Sequence, residues 1–275
     1  MRWLLGFGAA VSTVMAGPAD ASAVRPSTSS RAVPPVALAY PDPDTLKEDE
    51  SGRMVKDGLD ILSRTRIRLP DHVGNRLNCT SCHLDLGRKA GAAPWVGVHA
   101  AYPQIRARKG GVDTLEDRVN DCFERSMNGK ALPPGSPAMR AILLAMAWLS
   151  RDVPMGRMVQ GRGVPPLKPP APPSRSRGKA LYEERCAACH GVDGQGVNDF
   201  PPLWGPQSFN IGAGMARPWT AASFIRANMP LGQGGTLTAQ QAHDIAAWIL
   251  SMPRPDFPAK DKDWPRGGKP PDCPY

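Results

Sequence analysis

Cys79-Thr80-Ser81-Cys82-His83 and Cys186-Ala187-Ala188-Cys189-His190 are two copies of one pattern, C-x-x-C-H, and they use four of the six cysteines in the chain. The spacing has a mechanical meaning. Two thiols three residues apart on a helical turn reach the two vinyl groups of one porphyrin, and the adjacent histidine then points at the iron, which makes this the attachment signature of c-type haem. A single copy in a cytosolic chain reads equally well as a redox or zinc motif. Two copies behind an export signal read as two covalently bound haems c, with Cys79, Cys82, Cys186 and Cys189 as attachment points and His83 and His190 as iron ligands.

The residues downstream of each copy repeat as well. Counting 43 positions on from Cys79 gives Cys122, and counting 43 on from Cys186 gives Met229. Either side chain can ligate haem iron on its second axial face. Each is followed by a late helix containing Ala-Trp, at Ala147-Trp148 and Ala247-Trp248. The expected fold is therefore all-α, a tandem of two class I cytochrome c-like domains with one haem each.

Helix signals place these residues. Ser136-Pro137 is an N-cap with proline at the first helical position, and Thr238-Ala239-Gln240-Gln241 is a capping box. Met54 to Ser63 and Lys179 to Arg185 are the expected partner helices ahead of the two haem motifs. A helix from about Thr114 to Asn128 carries Leu115, Val119, Cys122, Phe123 and Met127 on its apolar stripe. That geometry turns Cys122 inward, with Arg118 one turn before it and Arg125 and Ser126 one turn after. A thiol flanked by guanidinium groups favours the thiolate, the form that ferric haem binds. Alternatives stay open: Cys122 as a buried structural thiol or in a disulfide with Cys273, Met127 or Met139 as ligand to the first haem, and Met215 in place of Met229. Cys273 reads as a free or intermolecular thiol. His72 and His99 read as loop residues or propionate partners, and His243 as a solvated helix residue.

Composition sets the outer limits. The chain has 275 residues, with 31 prolines and 28 glycines, about a fifth of the total and well above average usage. It is loop-rich and neither a coiled coil nor a membrane bundle. The net charge of +9 favours anions without choosing among them. Arg2, the apolar run Trp3 to Met15 and Ala21-Ser22-Ala23 read as a signal peptide over 1–23, with an uncleaved anchor as the competing reading. After it the longest apolar run, Ala141 to Leu149, has nine residues against the ~20 that span a bilayer, so no stable membrane insertion is expected once the signal is cleaved. The boundaries that follow are a proline-rich segment 24–45, a first cytochrome domain 46–164, a proline-rich linker 165–177, a second cytochrome domain 178–252 and a tail 253–275 that wraps the surface or stays mobile.

Longer stretches extend the pattern. Asn78 to Leu84, Ala93-Pro94-Trp95-Val96-Gly97-Val98, Arg118 to Gly129, Pro202-Leu203-Trp204-Gly205 and Ala227-Asn228-Met229-Pro230 together resemble the dihaem thiosulfate dehydrogenases. The resemblance covers about residues 45 to 255, and its specific part surrounds Cys122. It implies an active-site haem with His83 and Cys122 as axial ligands, and a second haem with His190 and Met229 that passes electrons on. It also implies Arg108, Arg118 and Ser126 as active-site residues and a periplasmic enzyme that joins two thiosulfate ions into tetrathionate, a reaction with a reverse direction. The electron acceptor would be a soluble or membrane-bound cytochrome or another high-potential partner. No nucleic-acid partner is expected. Asn228 cannot act as the lysine that alternates with methionine in some family members. Two other readings remain: a plain dihaem electron carrier, and a Sox-type subunit acting on a protein-bound sulfur substrate, against which Met229 weighs because Sox relatives use cysteine at both haems.

Overall fold

Residues 34–275 are described by the structure, a computed structural model. The signal-peptide reading of 1–23, and the part of the 24–45 segment before Pro34, lie outside the described residues. What is described is mainly helical. Its one sheet is a two-stranded antiparallel hairpin, Gln104–Arg106 with Gly111–Asp113.

Each half is built on one helix crossing. In the first, Glu50–Ser63 is capped by the Asp49 carboxylate and buries Ile61 and Leu62 against Pro137–Leu149, which Ser136 caps. In the second, Arg175–Arg185 crosses Ala239–Ser251, whose capping box is Thr238 with Gln241. The helices approach through glycine. A Cβ on Gly58 would lie 2.1 Å from the carbonyl oxygen of Ala141, and one on Gly178 would lie 1.9 Å from that of Asp244. Backbones so close leave no room for any side chain. The crossing thus repeats in both halves, as the paired sequence signals require.

Two expectations change here. The second early helix starts at Arg175, inside the expected linker, because Ser174 follows the last proline of the strap and accepts a bond from the Arg177 amide. His243 is buried rather than solvated. It lies beside the strap backbone at Leu167 and Lys168, while Gln240 accepts from the Ala171 amide. Extended proline-rich chain has backbone groups without internal partners, and here the helix beneath it supplies acceptors, Gln240 for the Ala171 amide and Asp244 for the Ser174 amide.

The tail is ordered along its length against both halves. Its Pro253 and Pro255 carbonyls accept from Gly205 and Ile211, and Phe257 is buried. Asp263 then reaches the first half, and the Trp264 amide donates to the Arg108 carbonyl at 2.9 Å. Among the described residues no helix is long and apolar enough to cross a membrane.

Replacing Gly178 by valine should overpack the second crossing and cost about 1–3 kcal/mol or more. Chemical denaturation of the purified protein checks this, and the same substitution at Gly214, whose Cβ would meet no neighbour within 4 Å, should cost little beside it.

Candidate functional site

Both attachment motifs sit on tight turns that bring their sulfurs and imidazole to one wall. In the first, Cys79–Ser81 forms a single 3-10 turn, held by Asn78 and Ser81, and the Thr65 hydroxyl donates to Cys79 Sγ at 3.3 Å. His83 Nδ1 donates to the Ala93 carbonyl at 2.5 Å. In the second, Ala187–His190 forms one turn and His190 Nδ1 donates to the Pro201 carbonyl at 2.9 Å. A carbonyl can only accept, so Nδ1 carries the proton in each ring and Nε2 is left with its lone pair for a metal. Burial lowers the His190 pKa and keeps that imidazole neutral.

The second motif opens on an apolar cavity of about 560 Å³. Cys186, Cys189 and His190 line it, and Met229 lines it too, placed at the end of helix Pro218–Asn228 where Pro230 follows. Met215 borders the same space, so both candidate thioethers are within this cavity. An apolar chamber with two thiols, a tautomer-fixed imidazole and a thioether suits a flat, iron-bearing macrocycle. Its lining also includes Thr80, Cys82 and Leu84 of the first motif, which brings the two attachment turns together at one chamber.

The first motif faces a narrower cleft lined by Cys79, Cys82, His83, Cys122, Ser126 and Met127, among others. Met139 is wholly buried in the core and takes no part in that lining. Cys122 and the His83 imidazole line the same cleft. Two donors in one cleft beside the attachment thiols form the donor set that an axially ligated haem needs.

The helix that carries Cys122 does not run unbroken to Asn128. It is α-helical over Leu115–Asp121, capped by Thr114 and Asp117, and widens to a π-turn over Cys122–Ser126. The Met127 amide donates to the Cys122 carbonyl at 2.9 Å and the Gly129 amide to that of Phe123 at 2.8 Å. Such insertions recur at functional sites because they re-aim one turn of side chains.

The re-aiming separates the two arginines. Arg118 stays beside the sulfur, its Nη1 3.1 Å from Cys122 Sγ. Arg125, expected as the second flanking cation, turns away and forms a two-pronged pair with Asp263 at 2.7 and 2.8 Å, with Asp121 at 3.1 Å and its guanidinium over Phe257. Arg108 belongs to the same outer cluster. It donates to the Gly212 carbonyl at 2.8 Å, stacks on Trp264 and lies 3.6 Å from Asp263. Ser126 lines the cleft together with Cys122.

These surroundings distinguish one thiol from the rest. Burial pushes the Cys79 and Cys82 thiols up to about 12. Burial acts on Cys122 in the same sense, but the Arg118 charge, with a smaller contribution from the neighbouring His83, outweighs it and pulls that thiol down to about 7. The charge on the sulfur in turn raises the Arg118 pKa against burial, so the guanidinium stays charged. No disulfide joins any of the six cysteines, Cys122 and Cys273 included.

His72 Nδ1 bonds the carbonyls of Lys130 and Ala131, and His99 lies in the short helix Val98–Ala101, where its backbone amide donates to Ser150 Oγ. Asp263 and the carbonyls of Ala93 and Pro201 were not legible in the sequence as site partners. A carbonyl carries no signature in residue type, and Asp263 lies in a tail that shows no periodicity.

Known proteins bear on these two centres. The cytochrome c family model matches residues 176–253, and the model described as SoxA/TsdA, cytochrome c domain, matches residues 72–155. A thiosulfate dehydrogenase of Psychrobacter arcticus is 44% identical over 94% of this chain and 78% of its own length. One of Allochromatium vinosum is 47% identical over 82% and 87%. The solved structure of thiosulfate dehydrogenase (TsdBA) from Marichromatium purpuratum superposes with a TM-score of 0.79 at 39% identity, covering 86% of this chain, which spans 54% of that one. The architecture is thus two cytochrome c domains in tandem, carrying two covalently bound haems c. With relatives this similar across most of its length, the chain belongs to the thiosulfate dehydrogenase family.

Proposed function

We propose that this protein is a periplasmic dihaem enzyme that oxidises two thiosulfate ions to tetrathionate at the Cys122 cleft, and that electrons leave through the centre beside His190 and Met229. The observation that carries the reading is the contact of Arg118 with Cys122, a guanidinium 3.1 Å from a sulfur that shares the cleft of the first attachment site with His83. Export rests on the reading of residues 1–23, and the substrate class on the named relatives. In this reading His83 and Cys122 hold the first haem iron, and His190 and Met229 the second. When bound, the two haems supply two one-electron acceptors, matching the two electrons that leave when two thiosulfates become tetrathionate.

The chain's own residues must solve an electrostatic problem. Two dianions at ~4 Å repel by roughly 4 kcal/mol even at the dielectric of water, and by more in a partly buried cleft. A fixed cation offsets this, and a guanidinium also grips a sulfonate with paired donors. Arg125 and Arg108 are already engaged by Asp263. Arg118 is therefore the cation at the cleft, where it stabilises the sulfur as thiolate and meets the incoming anion; Ser126 offers a hydroxyl to the same space.

Cys122 does more than ligate in this scheme. Its thiolate and the outer sulfur of a first thiosulfate form an S–S bond, leaving Cys122 bonded to S–SO3⁻ and releasing two electrons. A second thiosulfate attacks the outer sulfur, the bond to Cys122 breaks, and tetrathionate departs while the thiolate re-forms. Atoms and charges balance at each step.

Replacing Cys122 by methionine should keep a six-coordinate low-spin haem while tetrathionate formation falls by at least on the order of a thousandfold. Near-normal turnover by that variant, with full haem content, would favour the electron-carrier reading. Arg118→Ala should lower kcat/KM for thiosulfate by about a hundredfold, measured with an artificial ferric acceptor. An arginine that served only to dock a protein partner would leave that assay unchanged.

The relay assignment is tested apart from the chemistry. Met229→Ala should alter the spectrum of the second haem and slow its reoxidation, yet leave thiosulfate binding intact. If Met215→Ala has that effect instead, the ligand is Met215.

A further inference from the structure

A helix that ends in a π-turn leaves its last carbonyls without amide partners of its own, and inside a protein each needs a donor. Past Cys122 every one can be followed. The Glu124 carbonyl accepts from Asn210 Nδ2 at 2.8 Å, that of Arg125 from the Asn210 amide at 3.1 Å, that of Ser126 from Asn75 Nδ2 at 2.9 Å and that of Met127 from the Gly74 amide at 2.9 Å. Three of the four donors come from two asparagines.

The two asparagines are built alike. Each is buried, at 7% exposure for Asn75 and 1% for Asn210. Each uses its Oδ1 to accept an amide two residues on, Leu77 for Asn75 and Gly212 for Asn210, both at 3.0 Å. That local turn fixes the side chain and aims Nδ2 outward. Each Nδ2 then makes two bonds. Asn75 Nδ2 also reaches the Ser208 carbonyl at 3.0 Å, and Asn210 Nδ2 reaches Asn128 Oδ1 at 3.1 Å. Asn75 belongs to the first half and bonds the second; Asn210 belongs to the second half and bonds the first. All four amide hydrogens are therefore used.

We propose that Asn75 and Asn210 are positioning residues for Cys122, a clamp by which the relay half fixes the turn that aims the sulfur. The inference rests on the reading of Cys122 as ligand to the first haem. Its physical content is that the width of the π-turn is set by these donors. Without them the freed carbonyls regain partners by tightening toward an α-helix, which rotates Cys122 on its axis. Neither asparagine lies in the cleft lining, so each acts through the backbone of the turn.

Asn210→Asp is the test, because aspartate keeps the size and the Oδ1 acceptor for Gly212 while replacing the two Nδ2 donors by a carboxyl oxygen that is repelled by the Glu124 carbonyl. It is made in the full-length dihaem protein, with Asn75→Asp as its counterpart. Low-spin ferric electron paramagnetic resonance reads each haem separately. The expected result is a first-haem signal that splits or shifts, an unchanged second-haem signal, and a kcat reduced on the order of tenfold with the thiosulfate KM within about twofold. Three outcomes overturn the proposal: both haem signals change together, neither changes although turnover falls, or both variants fail to yield dihaem protein, which would make the asparagines general supports of the domain interface. Cys122→Met in the same measurement separates the two readings, since an unchanged first-haem signal there removes the ligand assignment itself.

Discussion

Backbone carbonyls that lose their helical partners must find donors elsewhere, and the turn that follows Cys122 has four in a row. Gly74, Asn75 and Asn210 meet that demand, and doing so draws one segment of each half onto the same turn. The interface between the halves is consequently polar and directional at this turn, beside a small apolar cluster of Leu77 with Phe209, Ala213 and Ala216. Arg76 extends it, donating to the carbonyls of Gln195 and Asn198 at 3.2 Å each. An apolar contact of similar area would tolerate sliding; a set of carbonyls matched to fixed donors does not.

The tail completes the arrangement by charge. Asp263 is almost wholly buried, and it compensates Arg125 and Arg108, whose guanidinium groups stack on Phe257 and Trp264. Tyr275 donates to the same carboxylate. A buried carboxylate with this many donors carries its charge without a large desolvation penalty, whereas removal of any one partner would expose that penalty. The consequence reaches the cleft. With two arginines committed to the tail, Arg118 is the guanidinium that contacts the Cys122 sulfur.

The two halves use one scaffold for different ends. Both cross an early helix over a late one through glycine, both fix their histidine by an Nδ1 bond to a carbonyl, and both hold their attachment thiols on a single turn. They differ in the sulfur groups that share each histidine's lining, the thioethers of Met215 and Met229 in the second half and the Cys122 thiol in the first. A thioether in an apolar chamber carries no charge and needs no counter-ion. A thiolate does need one, and the Arg118 side chain is placed one turn before Cys122 to provide it.

Local chemistry made much of this legible from residues alone. The C-x-x-C-H pair requires no tertiary partner to be read, and neither do the capping signals at Ser136 and Thr238, because each depends on neighbours within one element. The family likeness around Cys122 is of the same local kind. Periodicity also placed Arg118 against Cys122, since residues four apart on a helix share a face. It placed Arg125 there too, and that expectation gave way because a π-turn alters the angular step between residues, a change for which composition holds no sign. The engagement of Arg125 and Arg108 by Asp263, the burial of His243 under the proline strap and the two asparagines on the turn join residues that lie tens to more than a hundred positions apart. Such pairings are decided by which surfaces the fold brings together, and by the requirement that every buried polar group there find a partner.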